Sequence, residues 1–316
     1  MNDFSLLLPE FLVAGLAFFI LALDLFIKEN WKRYLVWVAF FGLAVILFVS
    51  LFIESEGQLY DGLLEFDEFT KFFRIFFLII GGVTVIISRE YVDSRLKYPG
   101  EYYGILLFTL LGAMLLASSA ELLTAYINLE LLSFGLYVLV GYERYNPKSN
   151  EASVKYILLG AFSSALILFG ISQIYGLLGT TRFDEMSVAF SSLSSISPGM
   201  AVGFVLIVSG LGFKLAAVPF HMWAPDVYEG APLPITAWLS VGSKAAALAL
   251  AIRLFSEGFI SVFGELQPIL IVIAAITMVI GNLLALVQKN IKRLLAYSSI
   301  GPVSYTHLTL QTILLV

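Results

Sequence analysis

Apolar runs of bilayer-spanning length follow one another along almost the whole chain, and few folds accept such a pattern. A helix needs roughly 20 apolar residues to cross the hydrocarbon layer. By that measure, spans are expected near Ser5–Ile27, Tyr34–Ile53, Glu68–Ser88, Tyr103–Ser119 and Leu122–Tyr142. Further spans are expected near Ala152–Leu178, Pro198–Val218, Leu233–Phe255 and Pro268–Val287, with a tenth starting around Ile291. In lipid each backbone polar group must be satisfied internally, so long apolar runs become helices. The expected class is therefore all-α: a polytopic membrane helix bundle. The first run is too long for a cleavable signal peptide and lacks both a basic leader and a small-residue cleavage site.

Composition narrows the chemistry. The chain is 59% hydrophobic and only 13% charged, which places it with multi-pass membrane proteins. It has no cysteine, which excludes disulfides and thiolate-held clusters. Its two histidines, His221 and His307, make no haem or metal set. No glycine-rich nucleotide loop follows a strand; Gly81 and Gly82 sit in an apolar run and read as close helix packing. A redox cofactor in this chain is not expected, nor is a nucleic-acid partner. The net charge of −5 carries little information.

The loops alternate in charge. Lys28, Lys32 and Arg33 follow the first span, and Arg89, Arg95 and Lys97 the third. Arg144 and Lys148 follow the fifth, and Lys289, Lys292 and Arg293 the ninth. The intervening loops carry Glu54 and Glu56, Asp184 and Glu185, and Glu257 and Glu265. Basic loops face the cytoplasm, so the N-terminus is expected outside.

A few ionisable residues interrupt the apolar runs. A charge at bilayer depth costs about 2.5–3.5 kcal/mol on insertion scales, so such residues usually face a bundle interior and mark ion or proton paths. Glu130 lies in AYINLELLSFGLYVLV, flanked on both sides by mostly apolar residues; it reads as a proton-relay carboxylate or as a helix-packing glutamate. Lys214 lies in SGLGFKLAAVPF, just before Pro219, where the missing N–H is expected to break the helix; it reads as a relay lysine or as one that snorkels to the headgroups. Lys244 lies in WLSVGSKAAALAL, too deep in its span to snorkel easily. Buried lysines exchange protons near neutrality and so suit a relay. His221, Asp226, Tyr228 and Glu229 cluster in the stiff connector PFHMWAPDVYEGAP. His221 could pass protons between the lysine-bearing helices or be a hydrogen-bonded connector histidine. Asp226 and Glu229 read as a docking point for a cytoplasmic partner or as helix caps. Glu121 reads as a first-turn acid, Lys155 as a relay or an interfacial anchor, and Arg293 as part of the basic flank. Asn282 and Lys292 read as channel-hydrating groups or as ordinary flank residues. Glu130 and Lys244, each near the middle of its span, form a faint echo of the kind inverted repeats produce.

The string PFHMWAPDVYEGAP, followed by ITAWLSVGSKAAALALAIR, resembles the subunit N family of bacterial proton-pumping NADH–quinone oxidoreductase, respiratory complex I. LELLSFGLYVLVGY and QKNIKRLLAYSSIG fit the same family, so the resemblance runs to about Gly301. The related subunits L and M, and cation/proton antiporter subunits, typically carry a PFHxWLPDA-type connector and a histidine where this chain has Lys244. The resemblance implies an antiporter-like fold of two inverted five-helix repeats, each with a broken helix, here near Pro219. It implies that Glu130 and Lys214 form a coupled pair, that Lys244 is the central relay lysine, and that His221 lies on the hydrophilic axis. It also implies that NADH, FMN, iron–sulfur clusters and quinone belong to other subunits, and that the partners are the other membrane subunits and the bilayer of the bacterial inner membrane. A related cation/proton antiporter or membrane-bound hydrogenase subunit, or a passive membrane scaffold, are the alternatives.

The chain's last residues depart from this pattern. Family members have a histidine after SSIG and continue for several helices, whereas this chain reads PVSYTHLTLQTILLV. PVSYTHLTL is the translation of a transposon adapter used in sequencing libraries. Residues 302–316 are therefore expected to be adapter read-through rather than native sequence, leaving 1–301 as the transmembrane domain and His307 without a function.

Overall fold

The computed structural model describes residues 4–53, 56–193 and 195–301. Glu54, His307 and the whole 302–316 tail lie outside the described residues. Among the described residues, nine helical stretches are long and apolar enough to cross a membrane. In chain order the main helices are α1 (Leu8–Phe26), α2 (Leu35–Phe52), α3 (Glu68–Ile87), α4 (Pro99–Ala117) and α5 (Leu122–Val140). They continue with α6 (Pro147–Leu178), α7 (Pro198–Leu215), the short α8 (Trp223–Gly230), α9 (Leu233–Gly258) and α10 (Phe263–Leu286). A last helix occupies 291–301.

Local chemistry sets several boundaries. Asp67 caps α3 by accepting from Thr70 N at 2.8 Å, and Ser197 caps α7 by accepting from Met200 N. Asn146 caps α6, and α6 and α7 both begin with proline at a position where a missing N–H costs nothing. Gly179 ends α6 with φ +75°, a conformation glycine adopts without strain.

The two ends of the bundle differ. At one end Lys32 sits over the Tyr98 ring, Tyr142 donates to Tyr98 O, and Lys148 and Arg293 both pair with Glu229. The four basic loops thus share this end. At the other end a hairpin, β1 (Gly57–Leu59) against β2 (Leu64–Phe66), packs on the end of α4 through Glu65 N to Ser118 O and Ala120 N to Leu63 O. Arg253, almost fully buried, ties α9 to this hairpin by pairing with Glu65, Asp67 and Glu257 and donating to Ala117 O.

The expected break is present, and its cause differs from the one read from Pro219. The helix ends at Leu215 because Ala216 takes a left-handed conformation, φ +57°. Ala217 N then bonds Gly212 O at 2.7 Å and Ala216 N bonds Phe213 O at 3.0 Å, the double closure of a Schellman motif. Alanine in that position costs roughly 1–2 kcal/mol relative to glycine, and with no glycine there the stop carries no signal in the sequence. Pro219 falls inside the connector, past the end of the helix. The freed backbone is satisfied from α10, where Thr277 Oγ1 accepts from Val218 N at 2.9 Å.

The 32 residues of α6 run about 48 Å and pack against both α7 and α8. One discontinuous span, α7–connector–α8, therefore lies beside one long continuous helix. Backbone contact holds the far half in place: a Cβ on Gly230 would lie 2.4 Å from Lys148 O. Gly230→Ala should therefore push α8 off α6. The expected cost is about 1–3 kcal/mol, read as a lower melting temperature of the purified protein; an unchanged melting temperature would show that α8 is not held by this contact.

Candidate functional site

Lys214 sits in the final turn of α7, where unpaired carbonyls favour a cation. Its Nζ donates to Ser133 Oγ on α5 at 2.7 Å and lies 3.5 Å from Ser164 Oγ on α6. Glu130 Oε1 is 3.6 Å away and accepts a hydrogen bond from Ser164 Oγ. The Tyr137 ring lies 5.9 Å from the ammonium. Glu130, Ser133 and Tyr137 fall on one face of α5 through spacings of three and four residues. Gly160 on α6 makes room for that tyrosine, since a Cβ there would lie 2.1 Å from Tyr137 Oη. The break in α7 and the long α6 together carry the ammonium to a carboxylate on a third helix.

Behind this pair the connector is packed with rings. Trp223 stacks on Tyr156 at 4.7 Å and donates from Nε1 to Phe213 O at 2.8 Å, a second hydrogen bond to the carbonyl that Ala216 N already closes.

Lys244 occupies a different environment. It follows a π-helical turn, Leu239–Ser243, and donates to Ser299 O at 3.0 Å and Ser299 Oγ at 2.8 Å. The Tyr228 ring lies 5.7 Å from it. Among the described residues no carboxylate comes within ion-pair distance of Lys244. His221 is buried in the connector, its ring 6.4 Å from that of Tyr297, two residues before Ser299. Its Nδ1, Tyr137 Oη and Tyr228 Oη have no hydrogen-bond partner among the described residues. The structure thus joins Glu130 and Lys214 directly, and places His221 and Lys244 along the 291–301 helix without a hydrogen bond linking the two sites.

At the basic-loop end the charges pair within the chain. Asp226 accepts from Lys155 and from Arg293, both at 2.8 Å. Glu229 accepts from Lys148 at 3.1 Å and Arg293 at 3.3 Å, while Lys292 donates to Glu229 O and Ala231 O. Asp226 and Glu229 therefore cross-link α8 to α6 and to the last helix, and neither caps the helix that follows. Arg293, in the basic flank of the last helix, is part of this lattice. Glu121 is the cap residue itself, accepting from Leu123 N and Thr124 N. Asn282 bonds its own helix at Met278 O and reaches neither lysine.

Sequence reading missed the serines. Ser133 was legible in principle, three residues after Glu130 and on its face; Ser164 and Ser299 carry no local signal, because only the packing of α6 and the last helix brings them to the lysines.

A bundle with a discontinuous helix, a lysine at its break and a carboxylate facing it defines an antiporter-like membrane domain. The chain belongs to the NADH:quinone oxidoreductase/Mrp antiporter transmembrane family, whose model matches residues 119–313. It is 42% identical over 306 residues to NADH-quinone oxidoreductase subunit N of Desulforamulus reducens, covering 96% of this chain and 64% of that protein. A chain of respiratory complex I from Thermus thermophilus superposes with TM-score 0.79 at 31% identity, over 96% of this chain and 64% of that one. A chain of the Mrp complex from Dietzia sp. shares the fold at the same TM-score and 24% identity, over 97% of this chain and 34% of that one. The chain thus spans a little under two-thirds of the length of the curated relative.

Asp226→Asn should free one anchor of α8. Exposed pairs of this kind contribute about 0.2–1 kcal/mol each, so the expected effect is a small fall in melting temperature that shrinks further in high salt. A loss independent of salt would mean that the cluster is not acting through charge.

Proposed function

We propose that this chain is a subunit N of a proton-translocating NADH–quinone oxidoreductase and that Glu130, Lys214, His221 and Lys244 carry its proton relay. The supporting observation is the Lys214 ammonium held at a helix break by a carboxylate and two hydroxyls. At 3.6 Å, Coulomb attraction in an effective dielectric of about 20 is on the order of 4–5 kcal/mol before desolvation is subtracted. A change of charge on either group is therefore felt by the other. Lys244, held only by neutral oxygens, can give up its proton without stranding a buried carboxylate. His221 has a ring nitrogen without a hydrogen-bond partner among the described residues, and its ring lies 6.4 Å from that of Tyr297 on the helix that carries Ser299.

Electrons pass elsewhere: NADH, FMN, iron–sulfur clusters and quinone belong to partner subunits, and this chain receives the free energy as a shift in electrostatics along its polar axis. Its partners are the other membrane subunits. The basic-loop end faces the cytoplasm of a bacterial inner membrane, with the N-terminus outside. Residues 1–301 form the functional domain and 302–316 are adapter-derived. The fold likeness to an Mrp complex keeps a cation/proton antiporter subunit as the second reading; gene neighbours encoding the other oxidoreductase subunits discriminate between them.

Lys244→Met and Glu130→Gln, introduced into the full-length subunit in the assembled complex, test the proposal. Both should depress NADH–quinone turnover and proton pumping by on the order of tenfold or more. Assembled variants that pump at the normal proton-to-electron ratio and rate would leave the chain a passive scaffold.

A further inference from the structure

The two serines beside Lys214 are not equivalent. Ser133 Oγ accepts from the ammonium at 2.7 Å but donates its own proton to Leu129 O at 2.7 Å, the carbonyl four residues back on its helix. Its hydroxyl proton is committed to a backbone carbonyl and has no onward acceptor. Ser164 Oγ instead donates to Glu130 Oε1 and turns its lone pairs toward Lys214 Nζ, 3.5 Å away. Lys214 Nζ and Glu130 Oε1 stand 3.6 Å apart with no hydrogen bond between them, and Ser164 Oγ is the hydroxyl that contacts both.

Resting on the relay reading above, we propose that Ser164 is the proton conductor between Lys214 and Glu130, while Ser133 only holds the ammonium. The transfer balances as one concerted step. The Nζ–H bond of Lys214 breaks and its proton joins Ser164 Oγ, while the Ser164 O–H bond breaks and that proton joins Glu130 Oε1. The products are a neutral amine, an unchanged serine and a protonated carboxyl, so the ion pair is discharged without any buried single charge appearing. Reversal retraces the same two proton movements, and a second transfer in the same direction needs the serine hydroxyl to rotate first. The 3.5 Å leg shortens when Lys214 leaves Ser133, so the choice between the two serines sets whether the pair is stored or discharged.

The placement of Ser164 is built into the packing. It lies on α6 next to Ser163, which donates to Gly210 O on α7 at 3.1 Å. A Cβ on Gly210 would fall 3.0 Å from Ser163 O, so this glycine lets the two helices meet closely enough for Ser164 to reach both charges.

The test uses Ser164→Ala, Ser164→Thr and Ser164→Val in the full-length subunit of the assembled complex, with Glu130→Gln as reference. Threonine and valine have the same size and branching and differ in the hydroxyl alone, so the comparison survives if alanine fails to assemble. Proton pumping should fall on the order of tenfold in the valine and alanine variants and return to near the parent rate with threonine. The parent's solvent isotope effect should be lost in the valine variant. Equal rates for threonine and valine would overturn the conductor role. Normal pumping by the valine variant with Glu130→Gln inactive would overturn it while leaving the relay reading intact; normal pumping by Glu130→Gln would sink both.

Discussion

A buried ammonium has to be neutralised, and the way this chain neutralises Lys214 organises the structure around it. The lysine occupies the last turn of α7, where carbonyl ends face it. Its carboxylate comes from α5 and its second hydroxyl from α6. Three helices must therefore hold their register to a fraction of an ångström, and close contacts at Gly160 and Gly210 allow that. Losing one partner of such a pair would leave an uncompensated charge worth about 3–5 kcal/mol.

The second lysine has a contrasting design. Lys244 faces a backbone carbonyl, a hydroxyl and a tyrosine ring, with no acid beside it among the described residues. One lysine thus has an acid with which to share its proton, and the other has neutral oxygens alone among the described residues. The charge lattice of Lys148, Lys155, Asp226, Glu229 and Arg293 fixes α8, which carries Tyr228, against the helix that carries Ser299. At the opposite end Arg253 anchors the Lys244 helix to the hairpin. The lysine-bearing helices are pinned at both ends of the bundle and irregular between them.

Much of this was legible before any coordinates. Apolar run length located the spans to within a few residues, because bilayer thickness and helix rise leave little freedom. Glu130, Lys214 and Lys244 stood out because charge is rare in such runs. The stop of α7 at Ala216 was not legible, since the left-handed residue is an alanine and Pro219 drew attention away from it. Nor were Ser164, Ser299 or the pairing of Arg293 with Asp226 visible. Those depend on which helix faces which: Arg253 meets Glu65 across 188 residues and Asp67 across 186, and Glu10 meets Arg74 across 64.

The central claim is that Glu130 and Lys214 exchange charge during turnover. Infrared difference spectroscopy of the reconstituted complex, recorded as NADH is added with quinone present, tests it most directly. The account predicts a protonated-carboxyl band that changes on turnover, shifts in heavy water and disappears in Glu130→Gln. A spectrum with no such carboxyl change, or one identical in Glu130→Gln, would mean that this pair keeps its charge and that protons take another route.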